Sequence, residues 1–127
     1  MKPPDEIGAW YIRDLHASVA KHKGRLLVAE SEGVVAGYAC LLVDVSSADD
    51  HDEILYTYSY VADLAVLASH RGRGLGGALL AECESLARAA GQKWIRLGVI
   101  AANHDARRFY ARSGFAEQLL TLEKTLA

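Results

Sequence analysis

The sequence has little of what marks membrane, secreted or nucleic-acid-binding proteins. It holds two cysteines in 127 residues, and its formal net charge is −2, whereas nucleic-acid-binding domains usually carry a basic excess. No apolar run approaches the length of a membrane span, and Met1-Lys2-Pro3-Pro4 does not begin a secretory signal peptide. Cys40 and Cys83 both lie in apolar patterns, which favours buried thiols in a reducing compartment. We therefore expect a cytoplasmic protein that binds neither nucleic acid nor a membrane.

Motifs for covalent or metal-assisted catalysis are also missing. There is no G-x-S-x-G elbow, and neither cysteine has a histidine beside it in the sequence. The histidines lack the spacing of metal ligands, so we predict no metal. They are His16, His22, His51, His70 and His104. The composition, 51% hydrophobic and 24% charged, is that of an ordinary globular protein, and the length predicts one domain over residues 1–127.

The most informative stretch is a glycine-rich turn between a predicted strand and a predicted helix. Its four glycines are Gly72, Gly74, Gly76 and Gly77. Glycine lets a ligand approach the backbone closely. The first turn of the helix beginning near Leu75 leaves N–H groups unpaired at the positive end of the helix dipole, and Arg71 and Arg73 add two positive charges. The stretch therefore predicts a binding site for a phosphate or pyrophosphate.

Two nucleotide-binding motifs fit this turn poorly. Gly72–Gly77 satisfies G-x-G-x-x-G, but that fingerprint requires an acidic residue about 20 positions later, and Ile95–Gly98 contains none. The phosphate-binding G-x-x-x-x-G-K-[ST] motif fails because Ala78 and Leu79 follow Gly77. A nucleotide-binding domain is the weaker alternative, and a turn that only packs a helix against a strand is another.

Hydrophobic periodicity predicts mixed α/β structure in the order α-β-β-β-α-β-α-β. A first helix is predicted because apolar residues from Ile7 to Val19 recur every three or four positions, ending near Gly24. Ser46–Glu53 is polar and acidic, which indicates a surface loop. The predicted strands are Arg25–Glu30, Val34–Val45, Ile54–Val66, Trp94–Ala101 and Glu117–Leu126, and the later helices are a central one reaching about Ala90 and a short one from Asn103 to Gly114.

A second motif runs from Asn103 to Phe115 and reads N-x-x-A-x-x-F-Y-x-x-x-G-F. Together with Arg71-x-x-Gly74-x-Gly76 it resembles the GCN5-related N-acetyltransferase (GNAT) family, over roughly Arg25 to the C-terminus. The resemblance implies an α/β (α+β) fold with a mixed, largely antiparallel central sheet flanked by helices. Because family members place a strand and a helix before the helix predicted here, it also implies a shortened N-terminus.

The same resemblance implies that the chain binds acetyl-CoA. The pyrophosphate would lie on the backbone N–H groups of the glycine turn, and the pantetheine arm would pair with the end of the preceding strand like an extra strand. Asn103 would hydrogen-bond the cofactor near the second strand junction. The implied binding residues are Leu64, Ala65, Val66, Arg71, Gly72, Arg73, Gly74, Leu75, Gly76, Gly77, Asn103 and Tyr110.

The implied reaction is direct attack of a primary amine on the thioester, without a covalent enzyme intermediate. Tyr110 matches the family tyrosine that protonates the departing thiolate, although a core aromatic residue would also fit its position. The base is open, since the position of the family glutamate is Gly98 here. Asp63 could serve if the strand end buries it, or could simply bond its own backbone, and Tyr60 could act as base or position a water.

The acceptor is predicted only as a small-molecule or peptide amine. The acidic residues Asp49, Asp50, Asp52 and Glu53 could attract a cation or form a solvated loop. Tyr56 and Tyr58, with Tyr60, could line an acceptor pocket or cover the core. A homodimer is expected by analogy with the family. The missing glutamate at Gly98 leaves a non-catalytic acyl-CoA-binding module as the main alternative.

Overall fold

Five strands form one sheet in the computed structural model, which describes residues 10–14, 24–47 and 55–126. The strands are β1 (Trp10–Asp14), β2 (Arg25–Ser31), β3 (Val34–Ser46), β4 (Thr57–Val66) and β5 (Ile95–Leu97), and the helices are α1 (Leu75–Ala89) between β4 and β5 and α2 (His104–Arg112) after β5. Within these ranges no helix is both long and apolar enough to cross a membrane.

The strands lie in the order β1-β2-β3-β4-β5, and each pair is antiparallel except β4 and β5, which are parallel. The predicted hairpin is confirmed: Glu32 and Gly33 join β2 to β3 with φ of 53° and 78°. Positive φ at both central residues matches the right-handed twist of the flanking strands. The prediction of a mixed, largely antiparallel sheet is therefore correct.

The first predicted helix is wrong where the structure describes it. Residues Trp10–Asp14 form β1, which pairs with β2 from Trp10↔Ser31 to Asp14↔Leu27. Ile12 is buried, whereas Tyr11 and Arg13 lie on the other face and both donate hydrogen bonds to Glu30. This alternation has the two-residue period of a strand, and the edge of β2 stabilises it. The expectation of a shortened N-terminus depended on that helix and so loses its basis; the rest of the helix, at residues 15–23, lies outside the described residues. Of the predicted surface loop Ser46–Glu53, Ser46 is the last residue of β3, and residues 48–53 lie outside the described residues.

The core lies between one face of the sheet and α1. Its fully buried large side chains include Leu27, Leu41, Leu75, Leu79, Leu80 and Cys83, and each buried leucine contributes about 1.5–3 kcal/mol. Burial raises the pKa of the Cys83 thiol to about 12, so this thiol stays protonated at neutral pH. The prediction of a buried cysteine is correct for Cys83, whereas Cys40 is only half-buried; both are free thiols.

The last two predicted strands are shorter or absent. The strand expected at Trp94–Ala101 is reduced to the three residues of β5, and residues 117–126 form no strand. Leu119, Leu120 and Leu122 are 67–88% exposed in that segment. An alternating apolar pattern becomes a strand only when a neighbouring edge supplies hydrogen bonds, and three residues of β5 supply few.

A register shift in β4 determines which face of the sheet Asp63 occupies. Cys40 pairs with Asp63, but Leu41 pairs with Val61, so Ala62 is an extra residue in β4. Such a bulge changes which face the following side chains occupy. Val61 before it and Leu64 after it both pack toward α1. Asp63 consequently lies on the opposite face of the sheet.

Candidate active site

The glycine turn leads directly into α1. Gly74 is the N-cap, with φ of 83° and no side-chain cap, and the first helical hydrogen bond runs from Ala78 N–H to the Gly74 carbonyl at 3.0 Å. The N–H groups of residues 75–77 therefore have no intrahelical acceptor. They point out of the N-terminal end of the helix, where the dipole favours an anion. This geometry matches the predicted phosphate site.

Gly77 has no structural reason to be glycine. It lies in the first turn of α1, its φ is not in the left-handed region, and an added Cβ would meet no atom within 4 Å. Glycine inside a helix costs about 0.5–1 kcal/mol relative to alanine. A ligand that lies directly on the backbone at this position would explain why a side chain is absent.

The two arginines of the turn have different surroundings. The Arg71 Nε donates a hydrogen bond to the carbonyl of Val66 at 3.1 Å, which ties the turn to the end of β4. Arg73 is exposed and has no hydrogen-bond partner among residues 10–14, 24–47 and 55–126. Arg71 therefore fixes the turn, and Arg73 is the one able to reach toward an anion.

An open strand edge ends at the glycine turn. β4 pairs with β5 only through Ser59, Tyr60 and Val61, while Leu64–Val66 pair with β3 on their other side. In the described part of the chain, no strand covers the outer edge of Leu64–Val66. An extended chain of amide groups can bind such an edge as an added strand. One end of a ligand could therefore lie along β4 while its anionic group lies on the turn.

Helix α2 contacts the start of α1. A Cβ added to Gly76 would lie 3.5 Å from the Phe109 ring. Asn103 is the N-cap of α2, as predicted, and its Oδ1 accepts from the Ala106 N–H at 3.1 Å. That oxygen already accepts the cap bond, and the amide nitrogen, which has no hydrogen-bond partner among the described residues, can donate to a ligand.

Tyr110 lies on α2 with its ring half-buried. The ring packs against Phe109 and Phe115, with centroids 5.1 and 5.9 Å away, and none of the described residues forms a hydrogen bond with its hydroxyl. Burial, and then the negative charge of Asp63, raise the pKa of Tyr110 above 10. The phenol therefore keeps its proton at neutral pH, as a proton donor must.

Asp63 lacks the burial on which its predicted role as base depended. The carboxylate is exposed because the bulge at Ala62 directs Leu64 inward and Asp63 outward. Its Oδ1 accepts from the Leu64 N–H at 3.0 Å, which agrees with the backbone-bonded alternative, and its Oδ2 accepts from the Tyr38 hydroxyl at 2.7 Å. Sequence reasoning missed Tyr38, because only the pairing of β3 with β4 brings it beside Asp63.

The Tyr60 hydroxyl lies beside Gly98, the position at which the resemblance implies a glutamate in other family members. A Cβ added to Gly98 would lie 3.1 Å from the Tyr60 hydroxyl. The phenol therefore occupies the space beside Gly98, next to the point at which β4 and β5 separate. A larger residue at position 98 would require Tyr60 to move.

Tyr56 and Tyr58 surround Arg96, which sequence reasoning did not single out. The Arg96 guanidinium carbon lies 5.2 Å from the Tyr56 ring centroid and 4.1 Å from that of Tyr58, and Arg96 donates to the Tyr56 hydroxyl. A shallow cavity of about 280 Å³ beside them is lined by Tyr56, Thr57, Gly91, Gln92, Lys93 and Trp94. It lies at the start of β4, away from the glycine turn, so it is separate from the site.

A family model for the acetyltransferase (GNAT) family matches residues 2–115. The chain is 38% identical over 103 residues to a mycothiol acetyltransferase of Kineococcus radiotolerans, an alignment that covers 80% of this chain and 30% of that protein. The chain spans between 30% and 51% of the lengths of the curated relatives that it matches.

Solved structures share the fold. A mutant of the BH1408 protein from Bacillus halodurans superposes with a TM-score of 0.78 at 27% identity, covering 87% of this chain and 71% of that one. The aminoglycoside N-acetyltransferase AAC(6')-Iy in complex with CoA superposes with a TM-score of 0.66 at 19% identity, covering 86% and 70%. At 19% identity the second comparison shows the fold alone.

The electrostatic contact between Asp63 and Tyr110 can be tested without any ligand. Asp63→Asn should lower the pKa of Tyr110, because it removes a negative charge that disfavours the phenolate. The measurement is a pH titration of the Tyr110 ring followed by ¹³C NMR. Glu30→Gln is the matched control: it should lower the pKa of Tyr11, which Glu30 raises through their hydrogen bond, and leave Tyr110 unchanged. An unaltered Tyr110 titration in Asp63→Asn would show that the two groups do not interact.

Proposed function

This chain belongs to the acetyltransferase (GNAT) family, and we propose that it transfers an acetyl group from acetyl-CoA to a primary amine. The observation that carries this proposal is the junction of two binding elements. The unpaired N–H groups of α1 adjoin an uncovered strand edge at Leu64–Val66. A diphosphate and an amide-bearing chain are the two parts of CoA that these elements fit.

The residues present fit this cofactor at each point. The backbone N–H groups from Gly72 to Gly77 would hold the diphosphate, with Arg73 adding a charge. Leu64, Ala65 and Val66 would pair with the pantetheine amides through the edge groups that remain open, because the Leu64 N–H is bonded to Asp63 Oδ1 and the Val66 carbonyl to Arg71 Nε. The Asn103 amide nitrogen would donate to a pantetheine carbonyl. When bound, acetyl-CoA supplies a thioester whose carbonyl carbon the amine attacks, so that an N–C bond forms as the C–S bond breaks.

Three proton transfers accompany this exchange: the ammonium ion loses one proton to the solvent to become the neutral amine, the attacking nitrogen loses a second, and the departing thiolate gains one. A primary amine with a pKa of about 10.4 is almost entirely protonated at pH 7. Forming the neutral, reactive amine therefore costs about 4–5 kcal/mol. Asp63 is exposed rather than buried, so we assign it as the base on its position: it is the carboxylate whose charge acts on Tyr110, and from the surface it can pass the amine proton to the solvent. Tyr60 then has the role of holding a water beside Gly98.

Tyr110 is assigned as the general acid. Its hydroxyl holds a proton at neutral pH because burial and Asp63 raise the pKa of Tyr110. It gives that proton to the departing thiolate and regains one from solvent, so the two transfers balance. The ring contacts with Phe109 and Phe115 fix the direction of the hydroxyl. Cys83 is no competing nucleophile, because burial keeps its thiol protonated.

The acceptor is proposed as a small-molecule or peptide amine. A relative from Salmonella typhimurium that is 36% identical over 66 residues is an aminoalkylphosphonate N-acetyltransferase, which supports an amine on a small molecule. Free thiols at Cys40 and Cys83 support action in the reducing cytoplasm. The homodimer stays a prediction that gel filtration can test.

Gly77→Ala separates ligand binding from folding. The substitution should raise the free energy of unfolding by about 0.5–1 kcal/mol, because alanine favours the helix, and should raise the Kd for CoA about tenfold or more. Urea unfolding and calorimetric titration with CoA measure the two effects.

The matched control for Gly77→Ala is Ala81→Gly, one turn further along the exposed side of α1. It should lower stability by a similar amount and leave the Kd unchanged. If Gly77→Ala binds CoA as well as the native chain, the diphosphate does not lie on the first turn of α1.

Tyr110→Phe tests the general acid. It removes one hydroxyl, so kcat for acetyl transfer should fall about 100-fold or more, with little change in the Kd for acetyl-CoA. The measurement is thiol release with a panel of alkylamines, aminophosphonates, amino sugars and lysine peptides. Native protein that binds acetyl-CoA but releases no thiol with any of these amines would instead indicate a non-catalytic acyl-CoA-binding module.

A further inference from the structure

Tyr38 contacts Asp63 from a strand that supplies no cofactor-binding or reacting residue to the proposed mechanism. It lies on β3, opposite Ala65 of β4, and its hydroxyl donates a 2.7 Å hydrogen bond to Asp63 Oδ2. Asp63 Oδ1 accepts from the Leu64 N–H at 3.0 Å. Both carboxylate oxygens of Asp63 are thus held, one by the backbone of its own strand and one by the neighbouring strand.

This double contact limits the motion of an otherwise exposed side chain. Asp63 follows the bulge at Ala62, where β4 has already separated from β5. A tyrosine anchored on the central strand β3 holds its hydroxyl with only two side-chain torsions. Its hydrogen bond to Asp63 raises the pKa of Tyr38 above 10, so Tyr38 remains a donor at neutral pH.

The other groups near this carboxylate come from three elements. Cys40 of β3 is the strand partner of Asp63, Tyr60 precedes it on the same face of β4, and Tyr110 of α2 lies within electrostatic range. None of these three described side chains forms a hydrogen bond with the Asp63 carboxylate, whereas the Tyr38 hydroxyl does. Exposed hydrogen bonds of this kind contribute little to stability.

We propose that Tyr38 is a positioning residue, which holds the Asp63 carboxylate at the open edge of β4 where it receives the proton of the acceptor amine. The proposal rests on the proposed function, and it assigns Tyr38 no contact with the amine or the cofactor. Tyr38 acts through Asp63 alone, which makes its effect separable from a direct one.

A double-mutant cycle with Asp63 tests this dependence. Tyr38→Phe removes only the hydroxyl and should lower kcat about three- to tenfold, the range expected for the loss of one exposed hydrogen bond. In an Asp63→Asn background, which is already slow, Tyr38→Phe should change kcat less than twofold. The assay uses acetyl-CoA and the best acceptor of the amine panel. If Tyr38→Phe has the same effect in both backgrounds, or none in the native chain, or if Asp63→Asn does not slow the native chain, the proposal is wrong.

Tyr11→Phe is the matched control. Tyr11 donates to the carboxylate of Glu30 in the same way, but on β1 at the far edge of the sheet, so the loss of its hydroxyl should leave kcat unchanged.

A second measurement needs no cofactor: in Asp63→Asn the pKa of Tyr38, titrated by ¹³C NMR of its ring, should fall toward 10. A pKa that does not fall would show that the hydrogen bond is absent in solution. If the native protein transfers acetyl to none of the amines, the proposed function is wrong. If the native protein is active and Tyr38→Phe has the same kcat, only the positioning role of Tyr38 is wrong.

Discussion

The site depends on a set of backbone N–H groups that have no acceptor within their own helix. At the start of α1 three such groups point out of the helix, and Gly74 and Gly77 leave the backbone around them bare. Unpaired donors at a helix N-terminus are satisfied by water, by a cap or by an anion. Here no side chain caps the helix. The strand that leads into this turn has an edge that no strand of the described residues covers, so a strand edge and a helix N-terminus adjoin at this turn.

The bulge at Ala62 lets one strand serve the core and the site together. On one face of β4, Val61, Leu64 and Val66 pack toward α1 and the buried leucines. On the other face, Asp63 is left beside Tyr38, and its negative charge acts on Tyr110. A regular strand would place residues 61 and 63 on the same face, and Asp63 would then meet the core. The bulge therefore allows Val61 and Leu64 to pack in the core while Asp63 faces the proposed site.

Sequence patterns predicted the elements whose signals are local. The hairpin at Glu32-Gly33, the helix after Gly74 and the cap at Asn103 each depend on a few adjacent residues, and all three are correct. The errors concern pairing between distant segments. Residues 10–14 became a strand because β2 offers an edge, and residues 117–126 did not because β5 is too short. The exposure of Asp63 and its bond to Tyr38 follow from register, which no single stretch of sequence specifies.

The central claim is that the first turn of α1 holds the diphosphate of CoA and that β4 holds its pantetheine arm. Titration of the ¹⁵N-labelled protein with CoA, followed through its backbone amide resonances, tests this directly. We expect the largest shifts at the amides of Gly74, Gly76 and Gly77, with a second group at Leu64–Val66. Shifts confined to the cavity around Thr57 and Trp94, or none at millimolar CoA, would contradict the claim.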